Sequence, residues 1–248
     1  MKYKSQKNKY YYQRKKGRNN LGRITVQHRG GGHPRIYRQI EFQKIQVNLP
    51  GIVHKIEYDP NRSAKIAKII YKNRLQIYQL FPQGLKIGDQ IIASSNAPLK
   101  IGNTLPLKNI PLGYNVYNIE SIPGGGSKFV RAAGTAAVLM AKFGKFVTLR
   151  LPSNEIRLFS QNCWATLGQV NNIDHGNINF KKAGRSRWLG LRPSVRGSAK
   201  NPVDHPHGGG EGRAPIGKNH PVTPWGKPAL GKRTRRTKKY SDKLIIKR

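Results

Sequence analysis

Acid is scarce in this chain. Ten Asp and Glu stand against 47 Lys and Arg in 248 residues, a formal net charge of +37. Such an excess repels itself in a free compact state and calls for a partner that supplies negative charge. The few acids are too dispersed for a carboxylate metal centre of the nuclease kind. Cysteine is scarcer still: the single Cys163 forbids an intrachain disulfide and any cysteine-based zinc cage. No run approaches the ~18 apolar residues of a membrane span, so no membrane partner is expected. The opening MKYKSQKNKYYYQRKKGR has no apolar core of a secretory signal, and its shortage of Ala and Ser suits a transit peptide badly. A chain of this kind working in an organelle is expected to be made there or already processed. No internal repeat is evident.

What is present is enough hydrophobic residue, 36%, for genuine cores, and enough length for two domains. Residues 1–18 carry eight basic residues and no acid, and read as an arm that stays flexible until a polyanion orders it. Short β-prone runs follow at Arg23–His28, Arg35–Phe42, Gly51–Tyr58, Leu75–Phe81 and Asp89–Ala93. Ala64–Tyr71 also suits a short amphipathic helix, but the regular strand spacing tips it toward sheet. Five or six strands in so short a span make a small barrel of the oligonucleotide-binding type. A second β unit starts near Thr104, with strands expected over Tyr114–Ile119, Thr135–Ala141, Phe146–Leu151, Glu155–Phe159 and Thr166–Val170. Phe143-Gly144-Lys145 and Pro152-Ser153-Asn154 would turn two tight hairpins of a second barrel. After about Gly184 the pattern is lost, and the remaining Gly, Pro, Arg and Lys suggest a tail that folds against something outside the protein.

Two glycine runs carry the chemistry. In His28-Arg29-Gly30-Gly31-Gly32-His33-Pro34-Arg35, bare backbone flanked by guanidinium and imidazole donors can grip phosphates and ribose hydroxyls; an ordinary glycine hairpin is the plainer reading. Asn201-Pro202-Val203-Asp204-His205-Pro206-His207-Gly208-Gly209-Gly210-Glu211-Gly212 excludes helix and central strand and leaves backbone open to close approach. Between them, Arg185, Arg187, Arg192 and Arg196 offer bidentate phosphate pairing, while Trp188 could stack on a base or pack internally. His205 and His207 lack the three or four convergent ligands of a zinc site. His205 could act as a general base, yet no nucleophile or carboxylate pair accompanies it. Hydrogen bonding to RNA is the sober reading, and Lys227–Arg248, with ten basic residues and one acid, reads as a solvated charge block or a thread for RNA grooves.

The segments GRNNLGRITVQHRGGGH (17–33), IEYDPNRSA (56–64), IGNTLPLKNIPLG (101–113), RAAGT (131–135), VTLRLPS (147–153), RWLGLRPSVRG (187–197), NPVDHPHGGGEGR (201–213) and HPVTPWGKPALG (220–231) resemble, in order, the universal large-subunit ribosomal protein two of bacterial and organellar type. The resemblance implies a mostly β fold: a basic arm (1–22), an oligonucleotide-binding-like barrel (23–103), an SH3-like barrel (104–185) and an extended rRNA-binding segment (186–248). It implies a structural, non-enzymatic protein that binds large-subunit rRNA, supports the peptidyl-transferase region and subunit association, and touches other ribosomal proteins and the small subunit at the intersubunit bridge. The family's functionally implicated histidine falls on His205. An RNA-processing enzyme with His205 as general base is the rival. The expected RNA contacts are Arg29, His33, Arg35 and Arg38 in the first barrel, and Arg187, Trp188, Arg192, Arg196, His205, His207, Gly208, Gly209, Gly210 and Arg213 in the tail. No cofactor is expected beyond Mg2+ carried by the rRNA. The stretch before GRNN is shorter than the family's usual extension, and the Ile, Asn, Lys and Tyr bias suggests an AT-rich genome. The GRITV opening (22–26) looks mitochondrial, while GRAPIG (212–217) and PALG (228–231) look more like plastids; a mitochondrial ribosome is expected, with a plastid as the alternative and a bacterial cytoplasm behind both.

Overall fold

The computed structural model describes residues 9–11, 15–43 and 46–248; much of the expected flexible arm, 1–8 and 12–14, lies outside the described residues. Contacts divide the chain into two compact units. One comprises Met1–Gln13, Pro34–Asn179 and Tyr240–Arg248, the other Arg14–His33 and Phe180–Lys239.

The first unit is mostly β, its sheets curled into barrel-like domains. Its strands are β1 (Lys9–Tyr11), β2 (Ile36–Arg38), β3 (Gly51–Glu57), β4 (Ile66–Tyr71), β5 (Gln76–Leu80) and β6 (Gln90–Ile91), then β7 (Thr104–Pro106), β8 (Asn115–Tyr117), β9 (Ile119–Glu120) and β10 (Ser127–Phe129). They continue as β11 (Ala137–Phe143), β12 (Phe146–Arg150), β13 (Ile156–Ser160), β14 (Trp164–Leu167) and β15 (Ile245–Lys247). One sheet has the order β5-β4-β3-β6, the other β15-β13-β12-β11-β8-β14-β7, and β1-β2 and β9-β10 form small pairs. A parallel bridge from Ala93 to Thr104 joins the two larger sheets.

Alternation decides the ambiguous segment. In β4, Ala67, Ile69 and Tyr71 face a core with Val53, Phe81 and Ile91, while Ile66 faces another with Tyr78, Leu80, Tyr117 and Val170. A period of two sorts them this way; a helix could not. The seven-stranded sheet encloses Leu105, Val116, Leu139, Val147, Leu149, Phe159, Ala165 and Leu167. Each buried Leu, Val or Phe among them contributes about 1.5–3 kcal/mol. Both expected hairpins form: Phe143 pairs with Phe146 around Gly144, whose φ of +53° is the left-handed turn conformation, and β12 turns into β13 through Leu151 and Glu155.

Three expectations change. Arg23–His28 is not a strand; it is an exposed loop with one bridge, Ile24 to Arg18. Lys9–Tyr11, placed in the unstructured arm, is β1 and pairs with β2 at the register Tyr10–Tyr37, with Lys9 donating to Glu57 at 3.0 Å. The end of the basic tail is likewise not a thread, for β15 lies against the edge strand β13.

In the second unit no strand occurs among the described residues. It holds one short helix, α1 (Ala183–Trp188), and a single 3-10 turn at Gly197–Ala199. Among its described residues, only Gly190, His205 and Val222 are buried. Among the described residues no helix is long and apolar enough to cross a membrane.

Candidate RNA interface

The second unit is built from backbone bonds around glycine and asparagine. The carbonyl of Gly17 accepts the N–H groups of Thr25 and Val26 at 2.9 and 3.0 Å. Asn19 Oδ1 accepts those of Leu21 and Arg23, both at 3.0 Å. A Cβ on Gly17 would run into the Val26 carbonyl, and its φ is +79°. These bonds hold 17–26 as a closed loop, which is why an alternating sequence there forms no strand.

The next residues pair with a distant segment. Gly30 N–H donates to the Gly190 carbonyl at 3.0 Å, Arg192 N–H to that of His28 at 2.9 Å, and His33 N–H to that of Trp188 at 3.4 Å. His28 Nδ1 donates to the Pro193 carbonyl at 2.8 Å. The first glycine run and the arginine-rich segment therefore form one short antiparallel ribbon. Beside it lies an open cleft of about 750 Å3, lined by Lys16, Arg18, Arg29, Gly30, Gly31, Arg192 and Lys200 and by no acidic residue. Five cations around bare glycine backbone suit the repeated negative charge of a sugar–phosphate chain. A second cleft of about 530 Å3 is lined by Gly31, Gly32, His33, Arg187 and Trp188. Trp188 is 61% exposed, with the Lys182 ammonium 4.6 Å from its ring centre, so it is not a core residue and its ring is available for stacking.

The second glycine run folds on itself. His205 Nδ1 accepts the His207 N–H at 3.0 Å, and His207 Nε2 accepts the Val222 N–H at 2.9 Å. The two rings lie 4.7 Å apart. A neutral imidazole that accepts at one nitrogen carries its proton on the other. His205 is thus protonated on Nε2 and His207 on Nδ1, and neither keeps an unused basic lone pair. Burial, then the neighbouring His207 and Lys200, hold the His205 imidazole below its ordinary pKa, which favours the same neutral form. Among the described residues no group of three or more His, Cys, Asp or Glu converges on a point.

Each glycine here has a reason within the protein. A Cβ on Gly197 would lie 2.5–2.8 Å from the His205 ring, so the imidazole rests on bare backbone. One on Gly208 would strike the Asn201 carbonyl. Gly209 and Gly210 have φ of +93° and +97°, and Gly209 N–H donates to the Lys200 carbonyl at 3.2 Å. Lys200 thereby belongs both to the histidine loop and to the basic cleft.

The structure brings Arg29 and Arg192 to one cleft, His33, Arg187 and Trp188 to a second, and His205, His207, Gly208 and Gly209 to one loop. Arg196 and Arg213 are exposed in the same unit. Arg35 and Arg38 belong to the other unit. There the Arg38 guanidinium stands 3.9 Å from Glu57 and 3.8 Å from Asp59, a carboxylate with no exposure that Arg62 also holds at 2.6 Å. Arg38 is occupied with folding. Sequence reasoning missed Lys16, Arg18 and Lys200, of which the first two lie in the basic arm and only Lys200 flanks a motif.

Two family models match the chain. The RNA binding N-terminal domain of Ribosomal Proteins L2 matches residues 7–93, and the C-terminal domain of the same proteins matches residues 100–226.

Proposed function

Since the chain belongs to the ribosomal protein L2 family, its broad role is that of an RNA-binding structural protein of the large ribosomal subunit, and we propose that it fills this role in an organelle. The compartment is the mitochondrion, with the plastid second; the support is the Ile, Asn, Lys and Tyr bias and the GRITV segment at 22–26. Its finer tasks are to support the peptidyl-transferase region and the contact with the small subunit, beside other ribosomal proteins.

The observation that carries the reading is the cleft in the second unit, where Lys16, Arg18, Arg29, Arg192 and Lys200 converge without a carboxylate. We assign phosphate contacts to these five, and further RNA contacts to His33, Arg35, Arg187, Trp188, Arg196 and Arg213. His207 and Gly208–Gly210 present the loop, and His205 holds its shape. This supports a non-enzymatic part. A general base needs a free lone pair, and that of His205 is taken by the His207 N–H. The RNA-processing reading finds no other support in the site.

Sedimentation of the tagged full-length chain from fractionated organelles tests the proposal. The chain should run stoichiometrically with the large subunit of mitochondria. Recovery in plastid particles would move the compartment, and recovery free of any ribosome would overturn the reading. RNA turnover by the purified chain, lost in His205→Ala, would establish the rival instead.

A further inference from the structure

We propose that the tip of the β11–β12 hairpin is a stacking platform for one unpaired base of the rRNA, with Phe143 as its surface; this rests on the rRNA-binding reading above. Phe143 is 86% exposed at the very turn, and its cross-strand neighbour Phe146 is 42% exposed. An exposed aromatic on a mobile loop would mean little, but this turn is held from several sides. Gln161 Nε2 donates to the Gly144 carbonyl at 2.5 Å, and Gln161 N–H donates to the Lys145 carbonyl at 3.1 Å. Lys142 Nζ donates to the Lys108 carbonyl at 2.6 Å. Behind the tip, Val147 and Leu149 are fully buried. The backbone that carries the ring is therefore held in place, so that only the side chain's own freedom remains to be lost on contact.

Charge and size select the occupant. Lys142 and Lys145 flank Phe143, and no acidic residue occurs in 140–147 or in the buttressing stretches 107–109 and 160–162. Met140, Phe143 and Phe146 are the exposed large apolar residues of the hairpin, far short of the ~1,000 Å2 that a specific protein interface buries. One ring face is enough for one base, and lysines beside it suit the adjoining phosphates.

The test places the photoreactive residue p-benzoylphenylalanine at position 143 of the full-length chain and irradiates large subunits that contain it. A ribonuclease-sensitive adduct with rRNA is expected. An adduct with a ribosomal protein alone, or none in particles that hold the chain, overturns the proposal. Absence of the unaltered chain from large subunits would instead remove the underlying reading, and this one with it. With purified large-subunit rRNA, Phe143→Leu should weaken binding about five-fold or more at fixed salt. Phe143→Tyr should keep it. Neither should change the salt dependence, and equal affinities for the two variants would also overturn the idea.

Discussion

The two units of this chain are held together by different forces. The first, with 25 Lys and Arg against eight Asp and Glu, has every described strand and almost all of the buried apolar side chains. The second has 22 basic residues against two acidic ones in less than half as many residues, and among its described residues only Val222 is a buried apolar side chain. Apolar burial gives the first unit a shape of its own. The second depends on hydrogen bonds among glycine, asparagine and histidine, which contribute about 1 kcal/mol each and must work against dense like charge. Such a composition calls for a polyanion that supplies the charge it leaves out.

Mutation should expose the contrast most strongly in the core. Leu149→Ala, at a fully buried site, should cost about 2–5 kcal/mol in urea unfolding of the full chain, whereas Leu230→Ala, 76% exposed in the second unit, should stay within about 0.5 kcal/mol. Equal losses would mean that the second unit has a core of its own.

Next in size, Gly208→Ala should drive a methyl into the Asn201 carbonyl and cost about 1–3 kcal/mol locally. Hydrogen exchange should then show the His207 and Val222 amides unprotected while β11 and β12 remain protected. Gly184→Ala, inside α1 with nothing within 4 Å, should be neutral or slightly stabilising.

The arginines separate by kind of effect. Arg192→Ala should lower the slope of log affinity for rRNA against log salt by about 0.7–0.9. Arg38→Ala should leave that slope alone and instead cost about 1 kcal/mol of stability, because it removes an ion pair to Glu57 and Asp59. A reversed outcome would move the interface to the other unit.

The smallest effect is with pH. The folded state holds the His205 pKa below that of the unfolded chain, so the unfolded chain binds more protons across that interval, and stability rises with pH. The contribution is present above about 6.5 and is lost as pH falls through the lower folded value. Exchange of the His207 amide should speed up on acidification. His205→Asn, whose Oδ1 can replace Nδ1 as acceptor, should keep the protection at neutral pH and remove its pH dependence; unchanged acid sensitivity in that variant would assign the effect to another group.

Alternation between turn residues made β3, β4, β5 and β11 to β13 legible; it is cleanest in β5 and β12, where Tyr78 and Leu80, and Val147 and Leu149, are buried against a core. It misled at Arg23–His28, where Ile24 and Val26 alternate on a loop shaped by Gly17 and Asn19. β1, β10 and β15 are three residues long, and β1 and β15 find partners far away in the chain, so no local pattern marks them. The glycine runs and the arginine segment were legible as candidates. Their meeting was not, since His28 and Pro193 are 165 residues apart. The open backbone expected at Gly208 is closed by Asn201, and the histidines bond inward; both depend on neighbours that spacing cannot reveal.

The pairings of β1 with β2 and of β15 with β13 have a topological meaning. Each closes the base of one long loop: the residues between Tyr11 and Ile36 in one case, those between β14 and Ile245 in the other. The basic unit is thus made of two lassos and has no loose end of its own. Pinning both ends of a segment removes entropy that a dangling tail would otherwise lose on meeting RNA, and the closure cost grows only slowly with loop length. A single proteolytic nick between 180 and 239 would leave both fragments moored to the sheets, whereas removal of 245–247 would open the larger lasso at its base.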